Sequence, residues 1–539
     1  MRADLARTQL TPLLLAALLA CSPAVDESPG TGSEPVAGGT VVTTNLTDVD
    51  TLNDLISDGS VIARDVERML FLRLARELDE FENGIPKLEP QLAERWEFSP
   101  DGLELTFHLR EALWSDGEPI TAEDVRWTWE AQTHPAVAWR GAQGKSAIRE
   151  VEVVDERTVT FHFDRVYPGQ LLDANDGSIF PRHVWSSLPF EEWRSNASWF
   201  VDRMVGSGPF RLSEWAPNQR IEMVRNEHHY LPDQPLLDRL VIQVIPEKTN
   251  QINQLLGGSV DLVQVVPPDQ IERIEADSGL AVDAYWGRAF DYLCWNVERE
   301  PLDRSDVRRA LTLGVDRQSI VDSVYRGYAR VGVTSILTTT WAFDASLTPW
   351  PYDPAGAREL LGAAGYEPGS EGILQRQGDR LTLELIVQSG ARAHVDAATL
   401  IQAHLGRIGV EVELRPLQFQ AWLDRVKGND FDVAIGGWNI PTTLDMTFAF
   451  HSDSIGGYNF GAFSNADLDR ALDGARLASD IEEKRRYLEQ VQGILHREQP
   501  YTFLWEPQRV NARSASLRGT RPNALSAYFD VGRWWRADP

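Results

Sequence analysis

A chain of 539 residues exceeds what one hydrophobic core holds, so two or three packed units are expected. With 42% hydrophobic and 24% charged residues it is globular rather than disordered. A formal net charge of −28 repels phosphate backbones and the anionic face of a bilayer, which argues against nucleic-acid binding. Its two cysteines, Cys21 and Cys294, build neither a disulfide framework nor a CxxC-type metal site.

The chain opens on Arg2 and Arg7, followed by the apolar run Leu10 to Ala20. That run is shorter than the ~20 residues a spanning helix needs, and fits the apolar region of a signal peptide. It ends Leu18-Leu19-Ala20-Cys21, which resembles a bacterial lipobox. Residues 1–20 are therefore expected to be a lipoprotein signal peptide, with Cys21 as the lipidated residue. Residues 21–38, rich in Ser, Pro, Gly and acids, read as a flexible tether.

Thr40 to Thr44 is β-rich and reads as a first strand. Ala63 to Leu78 carries helically spaced apolar residues, Val66, Leu70, Leu72 and Leu74. Trp96 and Phe98 lead into the turn Ser99-Pro100-Asp101-Gly102, after which Leu103, Leu105, Phe107 and Leu109 alternate with polar residues, a half-buried hairpin strand. Thr121-Ala122-Glu123-Asp124 caps a helix carrying Val125 and Trp129. Val151 to Phe163 alternates again. Further strands are expected at 221–225, 240–245, 259–266, 381–387, 410–417 and 431–435. Further helices are expected at 249–256, 306–325, 354–364, 397–408 and 467–498, with Gly365 closing the third of these. The pattern is α/β with mixed sheets in at least two lobes.

Catalytic motifs are absent. Gly144-Lys145-Ser146 ends like a P-loop, but Trp139 stands where the required earlier glycine belongs. Gly206-Ser207-Gly208 lacks nucleophile-elbow spacing, and Glu227-His228-His229 lacks zinc-motif spacing. No enzyme activity, metal or cofactor is expected.

Three stretches stand in order. These are Ile85 to Trp96 with Ser99-Pro100-Asp101-Gly102, Thr106 to Arg110, and Trp114-Ser115-Asp116-Gly117-Glu118-Pro119-Ile120-Thr121-Ala122-Glu123-Asp124-Val125. They resemble the signature region of the family 5 extracellular solute-binding proteins, the oligopeptide-, dipeptide- and nickel-binding components of ABC importers. Gly206 to Leu212 with Arg225-Asn226, Asp306 to Arg317, Leu360 to Tyr366, and Asp430-Phe431-Asp432 before Gly437-Trp438 agree. The resemblance implies a periplasmic-binding-protein-like type II fold, with two lobes around a ligand cleft plus an extra subdomain. Lobe I would comprise 39–65, 204–285 and 507–539; the extra subdomain 66–203; lobe II 286–506. It implies a monomer held to the membrane only by its lipid anchor, which captures a small solute, by family default a peptide, and delivers it to the permease subunits of an ABC importer. The alternatives are a non-peptide solute (a sugar, a modified amino acid or a metal chelate) or a secreted hydrolase.

For ligand contacts the resemblance implies Thr43, Thr44 and Asn45 on the first strand, and Gly437, Trp438 and Asn439 around the Gly-Trp pair. Members commonly carry an Asp three residues after that Trp, which pairs with a peptide's amino terminus. Here that position is Pro441, which offers neither charge nor donor. Asp445 is a candidate replacement, against the alternative that it caps a local helix at 446–450. Tyr285, Trp286, Trp341, Phe343 and Tyr458 are candidate aromatic walls.

Overall fold

The turn Ser99–Gly102 joins β4 (Ala93–Phe98) to β5 (Glu104–Leu109), and Leu105, Phe107 and Leu109 bury one face of β5. With β6 (Ile148–Asp155) and β7 (Thr158–Phe163) they form a four-stranded sheet in the order β4-β5-β7-β6. The helix Ala122–Thr133 packs on it, opened by a capping box in which Asp124 Oδ2 accepts from Thr121 N at 2.8 Å. Such a box stabilises a helix by about 1 kcal/mol. The computed structural model describes residues 34–57, 60–82 and 84–537. The expected signal peptide, Cys21 and the tether as far as Ser33 lie outside the described residues.

The remaining strands, in chain order, begin with β1 (Thr40–Asn45) and the ribbon of β2 (Ala75–Glu82) and β3 (Ile85–Pro90). Then come β8 (Phe210–Ala216), β9 (Arg220–Arg225), β10 (Arg239–Val244), β11 (Leu262–Val263), β12 (Leu280–Trp286), β13 (Ala289–Trp295) and β14 (Ala329–Val331). A small ribbon holds β15 (Glu367–Pro368), β16 (Leu374–Arg376) and β17 (Asp379–Arg380). β18 (Thr382–Gln388), β19 (Glu411–Leu417), β20 (Val433–Asn439) and the 14-residue β21 (Tyr501–Ser514) complete the set used below.

One 12-stranded sheet runs β19-β18-β20-β13-β21-β11-β1-β10-β9-β8, with β12 and β14 also on β21. The first half of β21 pairs with β13 and β14, and its second half with β11 and β12. β21 and the β12–β13 junction at Gly287-Arg288 therefore carry the chain between two packed halves, each with its own cores. Leu293, Trp295, Val433 and Ile435 face one apolar cluster of the second half, and Phe290, Tyr292, Cys294 and Ala434 face another. In the first half, Val41 and Leu262 face the cluster that continues into the four-stranded sheet, while Val263, Val510 and Ala512 face a smaller one.

Several expected elements are divided. The pattern at 63–78 is a helix only over Val61–Leu70; Phe71 is extended (φ −133°, ψ 150°) and the chain enters β2 at Ala75. Leu70, Leu72 and Leu74 repeat every second residue, which suits an extended buried segment as well as a helix. The stretch 306–325 is two helices, Ser305–Leu313 and Arg317–Val324, parted at Gly314, with Asp316 capping the second through Ser319 N at 3.0 Å. The stretch 467–498 divides likewise into Ala466–Leu477 and Ile481–Glu498, the second capped by Asp480. In both stretches a capping carboxylate on a non-helical residue starts the new helix. The alternation at 151–163 is two strands, β6 and β7, and the expected strand at 259–266 is reduced to Leu262–Val263.

Candidate functional site: facing strand ends at the hinge

Strand directions place the site. β18 and β19 run parallel to β20's neighbourhood, β20 is antiparallel to β13, and β13 is antiparallel to β21. So β18, β19 and β20 run with β21 and end facing the first half. β11 is antiparallel to β21, and β1 is parallel to both β11 and β10. So β1, β10 and β11 end facing the second half. Ligands of open α/β sheets bind outside the carboxyl ends of their strands. Here two such sets of ends confront each other beside the crossing strands.

On the first-half side, Thr43 and Thr44 are fully buried within the sheet. Thr43 Oγ1 is 3.1 Å from Tyr528 Oη, and Thr44 Oγ1 has no hydrogen-bond partner. Asn45 is half-buried at the strand end and donates to Thr47 O at 2.7 Å. Just beyond β11, the Gln264 amide is buried beside the Tyr528 phenol, and the Asn511 amide on β21 beside that of Tyr285. Tyr285 lies against Arg509 and Asn511, and burial raises its phenol pKa. Arg509 Nη2 reaches across the hinge to Asn439 Oδ1 at 3.2 Å.

On the second-half side, Gly437 is exposed and must be glycine, because a Cβ there would overlap Asp291 Oδ1. Asp291 Oδ2 receives Trp505 Nε1 at 2.7 Å, His394 Nε2 at 3.0 Å and Tyr325 Oη at 3.2 Å. Burial alone would lower the pKa of His394; the charge and hydrogen bond of Asp291 outweigh it and hold the imidazole above its ordinary value. His394 Nδ1 is buried without a partner. No serine or cysteine therefore completes a triad on this dyad among the described residues. Among them there is also no group of three or more His, Cys, Asp or Glu placed to hold a metal ion.

Trp438 points to the opposite face of β20 from Asn439. Its ring stacks on Phe460 (5.3 Å between centroids) and Tyr292 (5.9 Å), with Phe448 edge-on at 5.1 Å and Tyr458 at 6.1 Å. Tyr458 remains 49% exposed, with Lys427 Nζ 5.2 Å from its ring centroid. Asn439 is exposed. Asp445 Oδ1 accepts from Thr447 N at 2.9 Å, at the start of the helix Thr447–Phe450, and the carboxylate faces the buried Lys484. The first engagement is local to that segment, and Lys484 comes from the helix Ile481–Glu498. Trp286 is half-buried under Arg330, whose guanidinium sits 4.0 Å from its ring centroid. Trp341 carries Arg485 at 5.1 Å, and both Trp341 and Phe343 pack on the second-half core.

A clasp joins the halves at the hinge. Arg288 Nη2 pairs with Asp79 Oδ1 at 3.1 Å and Nη1 lies 3.6 Å from Glu77 Oε1, its guanidinium 5.2 Å from the centre of Phe81. Arg288 also donates to Thr442 Oγ1, and that hydroxyl donates to Glu77 at 3.0 Å. Sequence reasoning missed Arg288, Asp291, His394, Gln264 and Arg509. Asp291 and His394 stand 103 residues apart, and no local spacing joins them. The motifs that resembled catalytic signatures are structural: Lys145 is buried and donates to Asp176 O at 2.8 Å, and Ser207 Oγ accepts from Leu72 N at 2.9 Å.

The family described as "Bacterial extracellular solute-binding proteins, family 5 Middle" matches residues 87–459. The oligopeptide-binding protein AppA of Bacillus subtilis is 27% identical over 516 residues, covering 94% of this chain and 93% of AppA. Heme-binding protein A of Haemophilus influenzae is 27% identical over 448 residues, covering 79% of this chain and 80% of its own. The solved structure of B. subtilis AppA in complex with a nonapeptide superposes with a TM-score of 0.76 at 26% identity, over 94% of this chain and 100% of that one. NikZ from Campylobacter jejuni in complex with Ni(L-His) superposes at 0.77 with 25% identity, over 92% and 99%. With facing strand ends at a hinge and a family match across most of its length, the chain belongs to the family 5 extracellular solute-binding proteins, the solute-capturing components of ABC importers, and has their type II fold of two lobes and an extra subdomain.

Proposed function

We propose that this protein captures a short peptide or a similar small solute between the facing strand ends, leaves it chemically unaltered, and presents it to the permease while tethered as a monomer through lipid on Cys21. In this reading lobe I comprises 39–65, 204–285 and 507–539, the extra subdomain 66–203, and lobe II 286–506. Asn45, Gly437, Trp438 and Asn439 border the solute, with Thr43 and Thr44 behind Asn45 and with Tyr458, Trp286 and Asp445 at the margins.

The observation that carries the proposal is the set of polar atoms around the cleft with spare capacity: Thr44 Oγ1 and His394 Nδ1 have no partner, and the amide nitrogens of Gln264 and Asn511 have only the phenols of Tyr528 and Tyr285 beside them. A buried polar atom without a partner costs about 1–3 kcal/mol. A solute rich in donors and acceptors offsets that cost as the lobes close on it. Peptide is favoured because AppA, which aligns over nearly the whole chain, is described with a nonapeptide. A second reading, a non-peptide solute such as a metal chelate or a modified amino acid, is favoured by Pro441 and by the engagements of Asp445. Together these leave no free carboxylate at the position where family members pair with an amino terminus.

Native mass spectrometry of the purified protein decides between them. A ladder of short peptide masses supports the first reading and a single non-peptide mass the second; fragments of an added peptide appearing with time would sink the claim that the solute is unaltered. Trp438→Ala should weaken capture of the co-purifying solute by at least tenfold, measured by calorimetry.

A further inference from the structure

A cavity of about 360 Å³ lies on the first-half side, with Tyr528, which bonds Thr43, and Glu77, of the hinge clasp, in its wall. It opens between the helix Val61–Leu70, the β2–β3 ribbon, the loop around Tyr230 and residues 525–533, and no residue between 235 and 524 lines it. Its size is that of a small-molecule site. Five arginines and four carboxylates contribute to its wall.

The carboxylates are already engaged. Asp65 accepts from Ser526 Oγ, Glu77 belongs to the Arg288 clasp, and Glu89 and Asp530 both hold Arg76. The other arginines, though Arg68 and Arg73 lie in the field of Glu67 and Glu77, spend few of their hydrogen-bond donors. Arg68 makes one side-chain hydrogen bond, to Leu525 O at 3.0 Å. Arg73 and Arg110 make none to described residues, and the Nε of each is buried without a partner. A guanidinium carries five N–H donors, so most of this donor capacity is unspent. Two guanidinium groups are also fixed in orientation, Arg110 over Tyr230 at 4.4 Å and Arg76 over Phe529 at 5.0 Å. His229 beside them is held neutral at pH 7, since burial lowers its pKa to about 4.

Positioned guanidinium groups with free donors match carboxylate and phosphate oxygens. We propose that this cavity, which adjoins the first-half wall of the solute cleft through Tyr528, is a second ligand site, and that it seats a small molecule bearing a carboxylate or phosphate group on Arg68, Arg73 and Arg110. Titration calorimetry of the full chain with sodium phosphate and, separately, sodium succinate tests it, in chloride buffer of matched ionic strength. We expect 1:1 binding of at least one probe with a sub-millimolar constant; phosphate alone identifies a phosphoryl ligand and succinate alone a carboxylate. Arg110→Gln and Arg73→Gln should each weaken that binding at least tenfold. Arg470→Gln, which removes the same charge from the surface, should leave it unchanged. Either substitution suffices if the other fails to fold. No heat with either probe overturns the proposal, as does equal loss in Arg470→Gln or unchanged binding in the folded Arg110 or Arg73 variant.

Discussion

The two sets of strand ends that confront each other at the hinge are built differently. At the end of β20 one acceptor organises the wall: a single carboxylate oxygen of Asp291 takes three donors, and the indole of Trp438 is enclosed by four aromatic rings, while Trp438 Nε1 and His394 Nδ1 are buried without partners. At the ends of β1 and β11, and along the helix Val61–Leu70 beside them, polar groups are buried and unmatched: Thr44 Oγ1 and both carboxylate oxygens of Glu67 lack partners, and the Gln264 amide nitrogen has only the Tyr528 phenol beside it. Matched buried groups hold a shape; unmatched ones hold interaction capacity in reserve. The second-half wall is therefore anchored by Asp291 and its ring cluster, and the first-half wall has no such anchor, though both keep unpartnered atoms for a polar solute.

The largest effect should come from removing the acceptor at the end of β20. Asp291→Ala removes the acceptor for Trp505, Tyr325 and His394 together, leaving two buried donors unpaired and an imidazole that burial drives to its neutral form. Leaving a buried donor unpaired costs about 1–3 kcal/mol. The expected outcome is a loss of about 4 kcal/mol in unfolding free energy at pH 6, measured by urea denaturation. The pairing contribution of His394 carries its own signature. Its folded-state pKa is raised, so the stabilisation is complete below its ordinary value of 6.5 and is lost as pH rises through the raised value. The deficit of Asp291→Ala should therefore shrink above that range. A deficit independent of pH would show that the imidazole is not charged.

The first-half side should respond in the opposite sense. Glu67 has its carboxyl pKa pushed up to about 7, first by burial and then by the nearby charge of Asp54, with Arg73 opposing. Between pH 4.5, its ordinary value, and pH 7 the folded state holds a proton the unfolded chain has lost, so stability falls as pH rises across that window and is level above it. Glu67→Gln abolishes this penalty. Its gain should be near zero at pH 4.5 and reach about 3 kcal/mol at pH 8, from the same urea series at the two pH values. A destabilised variant at pH 8 would mean that Arg73 needs the carboxylate more than burial opposes it.

What the sequence made legible follows the range of the interactions. The hairpin about Ser99–Gly102 and the helix opened by Thr121 were readable because alternation and capping act within a few residues. The Gly-Trp pair was readable through its family resemblance. Asp291 and His394 were not, since only the sheet brings them together. Asp445 was ambiguous for a related reason: the same carboxylate could cap its own helix or meet a ligand, and the choice depends on Lys484, which lies in a different helix. Thr43 and Thr44 sit on the strand predicted for them but within the sheet, because β1 is flanked by β10 and β11 on both edges, a fact of topology that no local pattern carries.

The smallest effect on stability should come from the one place where the two sides touch through charge. Arg288 is 12% exposed and is shared among Asp79, Glu77 and Thr442. Arg288→Gln removes the ion pairs but keeps a donor for Thr442 and leaves Asp79, 30% exposed, and Glu77 within reach of water, so the cost should be only about 1 kcal/mol in the same urea assay. Its larger consequence is kinetic. The clasp spans the hinge, so its interactions exist only when β2 and the end of β20 are adjacent, and losing them favours opening. At 1.4 kcal/mol per factor of ten, a loss of this size should speed release of the co-purifying solute about fivefold in stopped-flow displacement, with the association rate little changed. An unchanged release rate with the same small stability loss would make Arg288 a packing residue of the hinge. A release rate raised only at low salt would confine its action to long-range charge. A fivefold change that persists at high salt would place the clasp in the closing motion itself, where the two walls are brought together.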